Sequence, residues 1–571
     1  MSLGLMSKFP HENFRKHQKG LIHKLNRAIQ HPEVDYILLE APTGFGKTSV
    51  AGTVAAHNGP SYYLTEQKIH QDQLMEEFPD YSSTCKGRYN YACGKEREDN
   101  KCLHEIPGQS CHMKPTEENC GPHAAESAAR GDLFWGTSVS NPCPYFKSKT
   151  DTLNAPIGCL NYSYFFNETY YSGDFGSRNV IIADEAHNIE KNMQSFLTFR
   201  IDDWLQEETG LELRDLGESI SDWESWILNT LRPSVEARLD EVSEKIEDIW
   251  DQSKEVRSEI LTTQDVLDEV VCNINRFDTE YDSSYFDDLD WAVERDIEDG
   301  NLEGVSFTPV SIAPFAQRFL FDYADTTILM SATILDFNTL ARSLGIINDT
   351  DRMATFRFPS PFDPEIRPIV YYDSPAINHQ NWGENFPAIA KLVDCVAQLP
   401  ENVNEKGIIH SVSYNNEEII KKNVSRSVRR RLMTHGEDDP EREEVLEDFK
   451  SSDEARILMS PGIYEGVDLK HDMSRFQIVP KVPYLSLGSK AIQYKQDRDP
   501  RWYQWRTVIR MVQSFGRSVR SEDDYAKTYI LDGAFENLYE QNSGMFPDYI
   551  EEAMEKEDIR SMIDSSYSSQ Y

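Results

Sequence analysis

Long apolar runs are absent from this sequence of 571 residues. No stretch approaches the roughly 20 apolar residues that cross a bilayer as a helix. The opening segment MSLGLMSKFPHENF also lacks the apolar centre of a signal peptide. We therefore expect a cytoplasmic protein without membrane contact. A chain of this length exceeds what a single core accommodates, so we expect two or more domains.

Cysteine is scarce, with nine residues in the whole chain, which is too few for a disulfide scaffold. Six of the nine nevertheless crowd between Cys85 and Cys143. In a reducing compartment, crowded thiols favour metal ligation over disulfides. The composition thus excludes a secreted disulfide-rich fold and indicates a small segment organised by metal.

Basic residues are outnumbered: 58 Lys and Arg stand against 97 Asp and Glu, and the net charge is -39. This balance argues against a generally basic nucleic-acid-binding protein. Residues 201–300 carry 31 acidic and 8 basic side chains, so the negative charge is concentrated in one segment. The remainder of the chain can still form a local basic groove.

What the sequence does contain is a series of short β-branched or aromatic runs that end in polar or glycine-bearing turns. The first set is YILLE, SYYLT, NVIIADE and TTILMSAT, and the second is KGIIHS, ARILMS, RFQIVP and KTYILD. Buried strands that alternate with helical stretches are typical of parallel sheets built from βαβ units. The two sets predict an α/β protein with two parallel-sheet domains.

Two stretches interrupt this alternation. Residues 85–150 are rich in Cys, Pro and Gly and show little periodicity. Residues 200–305 are acidic and read as helical, with apolar residues at three- and four-residue steps between Val235 and Ile260. This spacing suits a helical hairpin or coiled-coil-like arm, and equally an amphipathic helix on a core.

The segment APTGFGKT fits a phosphate-binding loop with Ala in place of the first glycine. Gly44 and Gly46 allow backbone N–H groups to approach phosphate oxygens, and the following helix presents its positive end to them. Lys47 can reach the β- and γ-phosphates, and the Thr48 hydroxyl can ligate Mg²⁺. The predicted ATP-binding residues are Ala41, Pro42, Thr43, Gly44, Phe45, Gly46, Lys47 and Thr48.

A second motif, NVIIADEAHN, places Asp184 and Glu185 at the end of a predicted buried strand. Open α/β sheets bind their ligands at this end of their strands. One carboxylate there holds the Mg²⁺ shell, and the other orients or deprotonates the attacking water. Together with the phosphate-binding loop, the pair predicts nucleotide hydrolysis.

The letters DEAH, from Asp184 to His187, resemble the DEAH box of superfamily 2 helicases, and further motifs of that superfamily follow in order. SAT resembles motif III, YEGVDL motif V and QSFGRSVR motif VI. The resemblance implies that motif III links ATP state to the nucleic-acid path and that motif VI faces the nucleotide from a second domain. An arginine delivered across a cleft stabilises the transferring phosphoryl group only when the domains close. The residues concerned are Ser331, Ala332 and Thr333 in motif III, Gly466 and Asp468 in motif V, and Gln513, Arg517 and Arg520 in motif VI.

More narrowly, the chain resembles the XPD/DinG branch over essentially its whole length. That branch carries an iron–sulfur domain between motifs Ia and II and an arch between motifs II and III, where this chain has its two interrupting stretches. FRKHQKGLI resembles the branch's N-terminal R-x-x-Q, so Arg15 and Gln18 are expected at the nucleotide, with the glutamine near the base. VPY at Val482 and Asp532 in LDGAF also fit the second motor domain.

Five cysteines compete for the four cluster ligands that this resemblance implies. KGRYNYAC, which ends in Cys93, resembles the start of the branch's cluster segment, and NPCPYFKSK, with Cys143, resembles its end. Cys111 is the third expected ligand, and either Cys102 or Cys120 is the fourth. Thiolates suit a four-iron four-sulfur cluster and zinc alike, so zinc is the alternative.

The resemblance implies an ATP- and Mg²⁺-dependent DNA helicase with 5′-to-3′ polarity, with DNA repair among its roles. We expect it to act as a monomer on single-stranded DNA and forked duplexes, with RNA as a further substrate class. Two alternatives stay open: a translocase that does not separate strands, and a metal-stapled binding module with an inactive motor. The expected divisions are 1–84, 151–199 and 306–362 for the first RecA-like domain, 85–150 for the iron–sulfur insert, 200–305 for the acidic helical arch and 363–571 for the second RecA-like domain.

Overall fold

The computed structural model describes residues 2–66, 68–87, 90–91, 144–247, 254–281, 290–298, 301–346, 351–436, 442–462, 469, 471–519, 521 and 524–568. These residues form two seven-stranded sheets and one three-stranded sheet, with helices between the strands. None of the helices in these ranges is long and apolar enough to cross a membrane.

The strands are numbered along the chain. They are β1 (Tyr36–Glu40), β2 (Ser61–Thr65), β3 (Ser82–Thr84), β4 (Ile157–Asn161), β5 (Arg178–Asp184), β6 (Phe199–Ile201), β7 (Trp291–Glu298), β8 (Asn301–Pro309), β9 (Ala324–Ser331), β10 (Met353–Arg357), β11 (Ile369–Tyr372), β12 (Gly407–His410), β13 (Leu432–Met433), β14 (Ile457–Ser460), β15 (Phe476–Val479), β16 (Lys527–Ile530) and β17 (Met554–Glu557).

The α-helices of the described ranges are numbered in the same way. They are α1 (Ser2–Met6), α2 (Gln18–Ile29), α3 (Lys47–Asn58), α4 (Lys68–Glu77), α5 (Pro144–Asn154), α6 (Tyr162–Asn167), α7 (Ile189–Leu197), α8 (Asp203–Thr209), α9 (Ile220–Trp226), α10 (Arg232–Glu247), α11 (Lys254–Glu280), α12 (Ala313–Phe319), α13 (Phe337–Ser343), α14 (Trp382–Ala397), α15 (Tyr414–Asn423), α16 (Arg426–Arg429), α17 (Arg442–Ser451), α18 (Lys490–Arg498), α19 (Pro500–Phe515), α20 (Ala534–Asn542), α21 (Asp548–Glu551) and α22 (Ile559–Ser568).

The first sheet is parallel and has the strand order β10-β1-β9-β5-β2-β4-β3. All five residues of β1 and of β2 are buried, as expected for strands covered by helices on both faces. Strands β1, β9 and β5 are neighbours in this order. Because parallel strands end at the same edge, the phosphate-binding loop, motif III and the DEAH segment emerge side by side.

The second sheet is also parallel, with the order β13-β14-β12-β15-β16-β11-β17. Its central strands β12, β14 and β15 are buried throughout. Two parallel sheets of this kind confirm the predicted fold class. The apolar core continues from the first sheet into the second through helix α19, whose Trp505 is fully buried and donates through Nε1 to the carbonyl of Ile334 at 2.7 Å.

The acidic segment forms a helical pair that rests on a small antiparallel sheet. Helices α10 and α11 pack against each other, and the sheet has the order β6-β8-β7. The strands β7 and β8 differ from the expectation of a wholly helical segment. Helix α11 ends at Glu280, and in β8 the alternating residues Val305, Phe307 and Pro309 are buried, as is Gly304.

Candidate active site

A cavity of about 520 Å³ lies between the two parallel sheets. Its walls come from the loops that follow β1, β5 and β9 on one side and from the end of α19 on the other. Its volume falls within the range of about 300–1,000 Å³ that is typical of small-molecule sites. The predicted site residues that line it are Arg15, Pro42, Thr43, Gly44, Gly46, Lys47, Thr48, Asp184, Glu185, Ala332, Thr333, Gln513 and Arg517.

Two glycines shape the phosphate-binding loop. Gly44 and Gly46 have φ angles of 81° and 79°, in the left-handed region that glycine adopts without steric cost. A Cβ on Gly46 would lie 2.5 Å from Gln18 Nε2. Helix α3 begins at Lys47, directly after the loop, so its unpaired N–H groups lie at the cavity wall. The loop therefore has the backbone geometry of an anion-binding site.

Two side chains from the N-terminal segment hold carbonyl groups of this loop. Arg15 Nη1 donates to Gly44 O at 2.5 Å, and Gln18 Nε2 donates to Phe45 O at 2.8 Å. Gln18 is buried and accepts from the backbone N–H of Arg15 at 2.8 Å. Arg15 lines the cavity, whereas Gln18 contacts the loop through the carbonyl of Phe45. The expected contact between Gln18 and a nucleobase stays a prediction.

Asp184 ends strand β5 and is 5% exposed. The Tyr63 hydroxyl donates to its Oδ2 at 3.1 Å, and the Tyr162 hydroxyl donates to its main-chain oxygen at 2.7 Å. Tyr63 also hydrogen-bonds the Thr48 side chain, so the hydroxyl and the carboxylate expected to hold Mg²⁺ lie together. Burial, followed by the charge of Glu185, raises the pKa of Asp184. A hydroxyl and a carboxylate form an oxygen donor set that fits Mg²⁺.

Glu185 has a φ angle of 51°, which is uncommon for a residue other than glycine. In this conformation its Oε2 accepts a hydrogen bond from the Ser331 hydroxyl at 3.0 Å. Burial acts to raise the pKa of Glu185, but its neighbours His187 and Lys47 and the hydrogen bond from Ser331 outweigh it, so the pKa lies below its ordinary value. The carboxylate is therefore ionised at neutral pH and able to accept a proton.

His187 connects the two domains. Its Nδ1 lies 2.8 Å from Ser331 Oγ, and its Nε2 lies 2.7 Å from Gln513 Nε2. An amide nitrogen can only donate, so Nε2 of His187 accepts and Nδ1 carries the proton. The result is a directed hydrogen-bonded chain from Gln513 through His187 and Ser331 to Glu185. His187 was not among the predicted site residues, although its place in the DEAH box was a signal.

Three of the predicted motif residues lie outside the described part of the chain: Gly466, Asp468 and Arg520. Their expected contacts with the nucleotide stay predictions. Arg517 does lie at the cavity, on the wall opposite Lys47. His70 also lines the cavity. It was not among the predicted site residues, because it adjoins no recognised motif.

The cysteines expected to bind metal also lie outside the described residues; they are Cys93, Cys102, Cys111, Cys120 and Cys143. Within the residues that are described, no three His, Cys, Asp or Glu side chains form a group that could hold a metal ion. Cys85 and Cys159 are buried, and burial raises the pKa of both thiols, that of Cys85 to about 11. Neither has the low pKa of a reactive or metal-binding thiolate.

Two domain families match the chain. DEAD_2 matches residues 81–204, and the helicase C-terminal domain matches residues 396–553. The first match contains Asp184 and Glu185, and the second contains Gln513 and Arg517. Residues of both matched ranges therefore line the cavity.

A probable ATP-dependent helicase of Methanocaldococcus jannaschii is 24% identical over 220 residues, 34% of this chain and 32% of the relative. The match therefore spans about a third of that relative's length. A solved structure of an XPD helicase has a TM-score of 0.59 at 16% identity and covers 96% of this chain and 100% of its own. The structure of S. tokodaii Xpd4 has a TM-score of 0.56 at 12% identity, with coverages of 95% and 100%. These similarities show that the chain has the fold of XPD proteins.

Proposed function

We propose that the chain is an XPD/DinG-type helicase of superfamily 2, which hydrolyses ATP to move along nucleic acid and separate its strands. The observation that carries the proposal is the hydrogen-bonded chain from Gln513 in the second domain to Glu185 in the first. It lies at the same cavity as the phosphate-binding loop. A nucleotide bound there contacts both domains, so its cleavage alters the contact between them.

The proposed roles follow from position in the cavity. Lys47 binds the β- and γ-phosphates, and Thr48 and Asp184 are the residues that would hold Mg²⁺. When bound, Mg²⁺ neutralises charge on the phosphate oxygens. Glu185 accepts the proton of the attacking water. Arg517 stabilises the charge that develops on the transferring phosphoryl group, and by its place in motif VI Arg520 assists it.

We further propose DNA as the substrate, with 5′-to-3′ movement along a single strand and opening of forked duplexes. The resemblance of the whole chain to the XPD/DinG branch supports both points, and RNA is the alternative substrate class. The proposed domains are two RecA-like domains, an iron–sulfur insert and an acidic arch. We also propose that the protein is a monomer that works in the cytoplasm, for instance in DNA repair. In the insert, a four-iron four-sulfur cluster would be held by Cys93, Cys111, Cys143 and either Cys102 or Cys120. Zinc is the alternative.

The experiment that tests this proposal combines metal analysis with strand separation. Protein purified without oxygen is assayed for iron, sulfide and zinc, and then for opening of forks that carry either a 5′ or a 3′ single-stranded tail. We expect iron with sulfide, no zinc, and opening of the 5′-tailed fork by the wild type but not by Lys47→Ala. ATP turnover without strand release contradicts the helicase and favours a translocase. No ATP turnover by the wild type favours the binding module with an inactive motor.

A further inference from the structure

The two helices α18 and α19 form a hairpin that reaches from the nucleotide cavity to the acidic segment. Helix α19 ends at the cavity with Gln513. Helix α18 precedes it and is separated from it only by Asp499, whose side chain accepts a hydrogen bond from the backbone N–H of Trp502 at 3.1 Å. The hairpin is part of the second domain in sequence, but several of its partners lie in the first domain and in the acidic segment.

Glu190 of α7, five residues after the catalytic Glu185, holds both helices of the hairpin. Trp502 Nε1 donates to Glu190 Oε2 at 2.7 Å, and the Lys495 ammonium forms an ion pair with the same carboxylate. The side chains of Lys495 and Glu190 are only 10% and 7% exposed. Both contacts are buried, and breaking them would leave buried polar groups without partners, so they hold α18 and α19 against α7. The Lys495 ammonium also lies 4.5 Å from the centre of the Trp502 ring.

A third contact fixes the hairpin beside the DEAH segment. The Arg506 guanidinium donates to the main-chain oxygen of His187, whose ring contacts Gln513. Asp499, at the bend, accepts from Arg342 Nε of α13 at 3.0 Å. Because Asp499 joins the two helices and Glu190 contacts both, a displacement of Gln513 at the end of α19 acts on α18 as well.

Helix α18 contacts the acidic segment through one ion pair at each of its ends and through an apolar patch. Lys490 Nζ lies 2.8 Å from Glu218 Oε1, and Arg498 Nη1 lies 2.5 Å from Asp290 Oδ1. Between these two basic residues, Ala491 is buried in a small apolar cluster with two residues of the acidic segment's sheet region, Ala292 and Val310. The contact thus combines pairs of opposite charge with apolar packing.

We propose that the α18–α19 hairpin transmits the nucleotide state of the cavity to the acidic segment, with Lys490 and Arg498, at the two ends of α18, as the positioning residues. The inference rests on the proposed function, because it requires a nucleotide in the cavity. The acidic segment then changes its position during the ATP cycle. This role of the hairpin also explains why basic residues of the second domain meet a segment whose net charge is strongly negative.

Both ion pairs are part-exposed, with Lys490 24% and Arg498 37% exposed. Exposed ion pairs contribute little to folding. The double variant Lys490→Ala with Arg498→Ala is therefore expected to fold, and its melting curve checks this. The matched control is Arg200→Ala, because Arg200 pairs with Asp296 of strand β7 at 2.8 Å without touching the hairpin.

The test is hydrogen exchange of the β7 amides with and without a slowly hydrolysed ATP analogue, next to a direct measurement of analogue binding. In the wild type and in Arg200→Ala, we expect the analogue to change β7 exchange by about threefold or more. In the double variant we expect normal analogue binding and no such change. We expect the change to return when Arg498→Asp is combined with Asp290→Arg in an otherwise wild-type chain.

Two results overturn the inference while leaving the proposed function standing. One is a wild type that binds the analogue without any change at β7, and the other is a double variant whose β7 response equals that of the wild type. A wild type that binds no nucleotide overturns the proposed function and the inference together.

Discussion

His187 Nε2 lies 2.7 Å from Gln513 Nε2, although 326 residues separate them along the chain. One residue belongs to the loop after β5 of the first sheet, and the other lies near the end of α19 in the second domain. Through Ser331, this contact continues to the carboxylate of Glu185. Domain arrangement and the orientation of the proposed catalytic base are therefore linked by three hydrogen bonds.

Gln513→Ala removes the donor that fixes the His187 ring. We expect kcat for ATP hydrolysis to fall by about 10–100-fold, because an unfixed ring no longer orients Ser331 and Glu185. The KM for ATP should change little, since the phosphate-binding loop is untouched. Steady-state ATPase kinetics check both numbers. The matched control is Gln504→Ala, which removes another amide of α19, 3.3 Å from Asn542 and away from the cavity.

Equal losses of activity in Gln513→Ala and Gln504→Ala would contradict this account. They would mean that any weakening of α19 lowers the rate. A rise in KM at unchanged kcat would instead assign Gln513 to nucleotide binding.

Glu185→Gln keeps the shape of the proposed base but cannot take a proton. We expect the rate of hydrolysis to fall by about 10²–10⁴-fold, while binding of ATP persists. Equilibrium binding of a fluorescent ATP analogue and a phosphate-release assay measure the two effects. Retention of more than about a tenth of the wild-type rate would assign proton acceptance to another group.

Gly46→Ala introduces a Cβ at a φ angle of 79° and 2.5 Å from Gln18 Nε2. The strain of such a position is of order 1–3 kcal/mol, so we expect nucleotide affinity to fall about tenfold or more. The control is Gly20→Ala in α2, where an added Cβ meets nothing within 4 Å. Calorimetric titration with ATP measures both variants, and equal affinities in the two would show that the loop tolerates the change.

Glu417→Gln tests a buried carboxyl in the second domain. The Glu417 side chain is 2% exposed and accepts from the Ser411 hydroxyl at 3.0 Å, and burial raises its pKa from 4.5 to about 7. A raised acid pKa means that the folded state holds a proton which the unfolded state releases, so stability is lost as pH rises from 4.5 to 7. Glutamine stays neutral, so we expect the variant to be more stable at pH 8 by up to about 3 kcal/mol and unchanged at pH 4.

The free energy of unfolding of the second domain, measured with denaturant at both pH values, checks this difference. Glu418→Gln is the control, since Glu418 is 56% exposed and pairs with the same Lys421. A gain in Glu418→Gln as large as that in Glu417→Gln would attribute the effect to surface charge.

Local patterns were enough to predict the first half of the site. The phosphate-binding residues lie within five positions of the chain; they are Gly44, Gly46, Lys47 and Thr48. Their spacing reflects the backbone geometry that a phosphate requires. The two sheets were also predictable, because eight of their strands, four in each sheet, have their own apolar run.

Contacts between distant segments were not predictable in the same way. The pairing of His187 with Gln513 depends on how two sheets pack, and neither local motif indicates the other as its partner. The contact of Gln18 with the carbonyl of Phe45 also joins separate segments, and the expected place of Gln18 near a nucleobase stays a prediction. Strands β7 and β8 were missed because the helical spacing before them was extended through the whole acidic segment.

The central claim is that ATP is cleaved between the two domains with Arg517 acting across the cavity. Its most direct test is single-turnover cleavage of bound ATP by the wild type and by Arg517→Ala at saturating Mg²⁺ and single-stranded DNA. The account predicts that Arg517→Ala binds ATP normally and cleaves it about 10³-fold more slowly, as expected when a cationic group is removed from the transferring phosphoryl. Cleavage by Arg517→Ala at the wild-type rate would contradict a two-domain site.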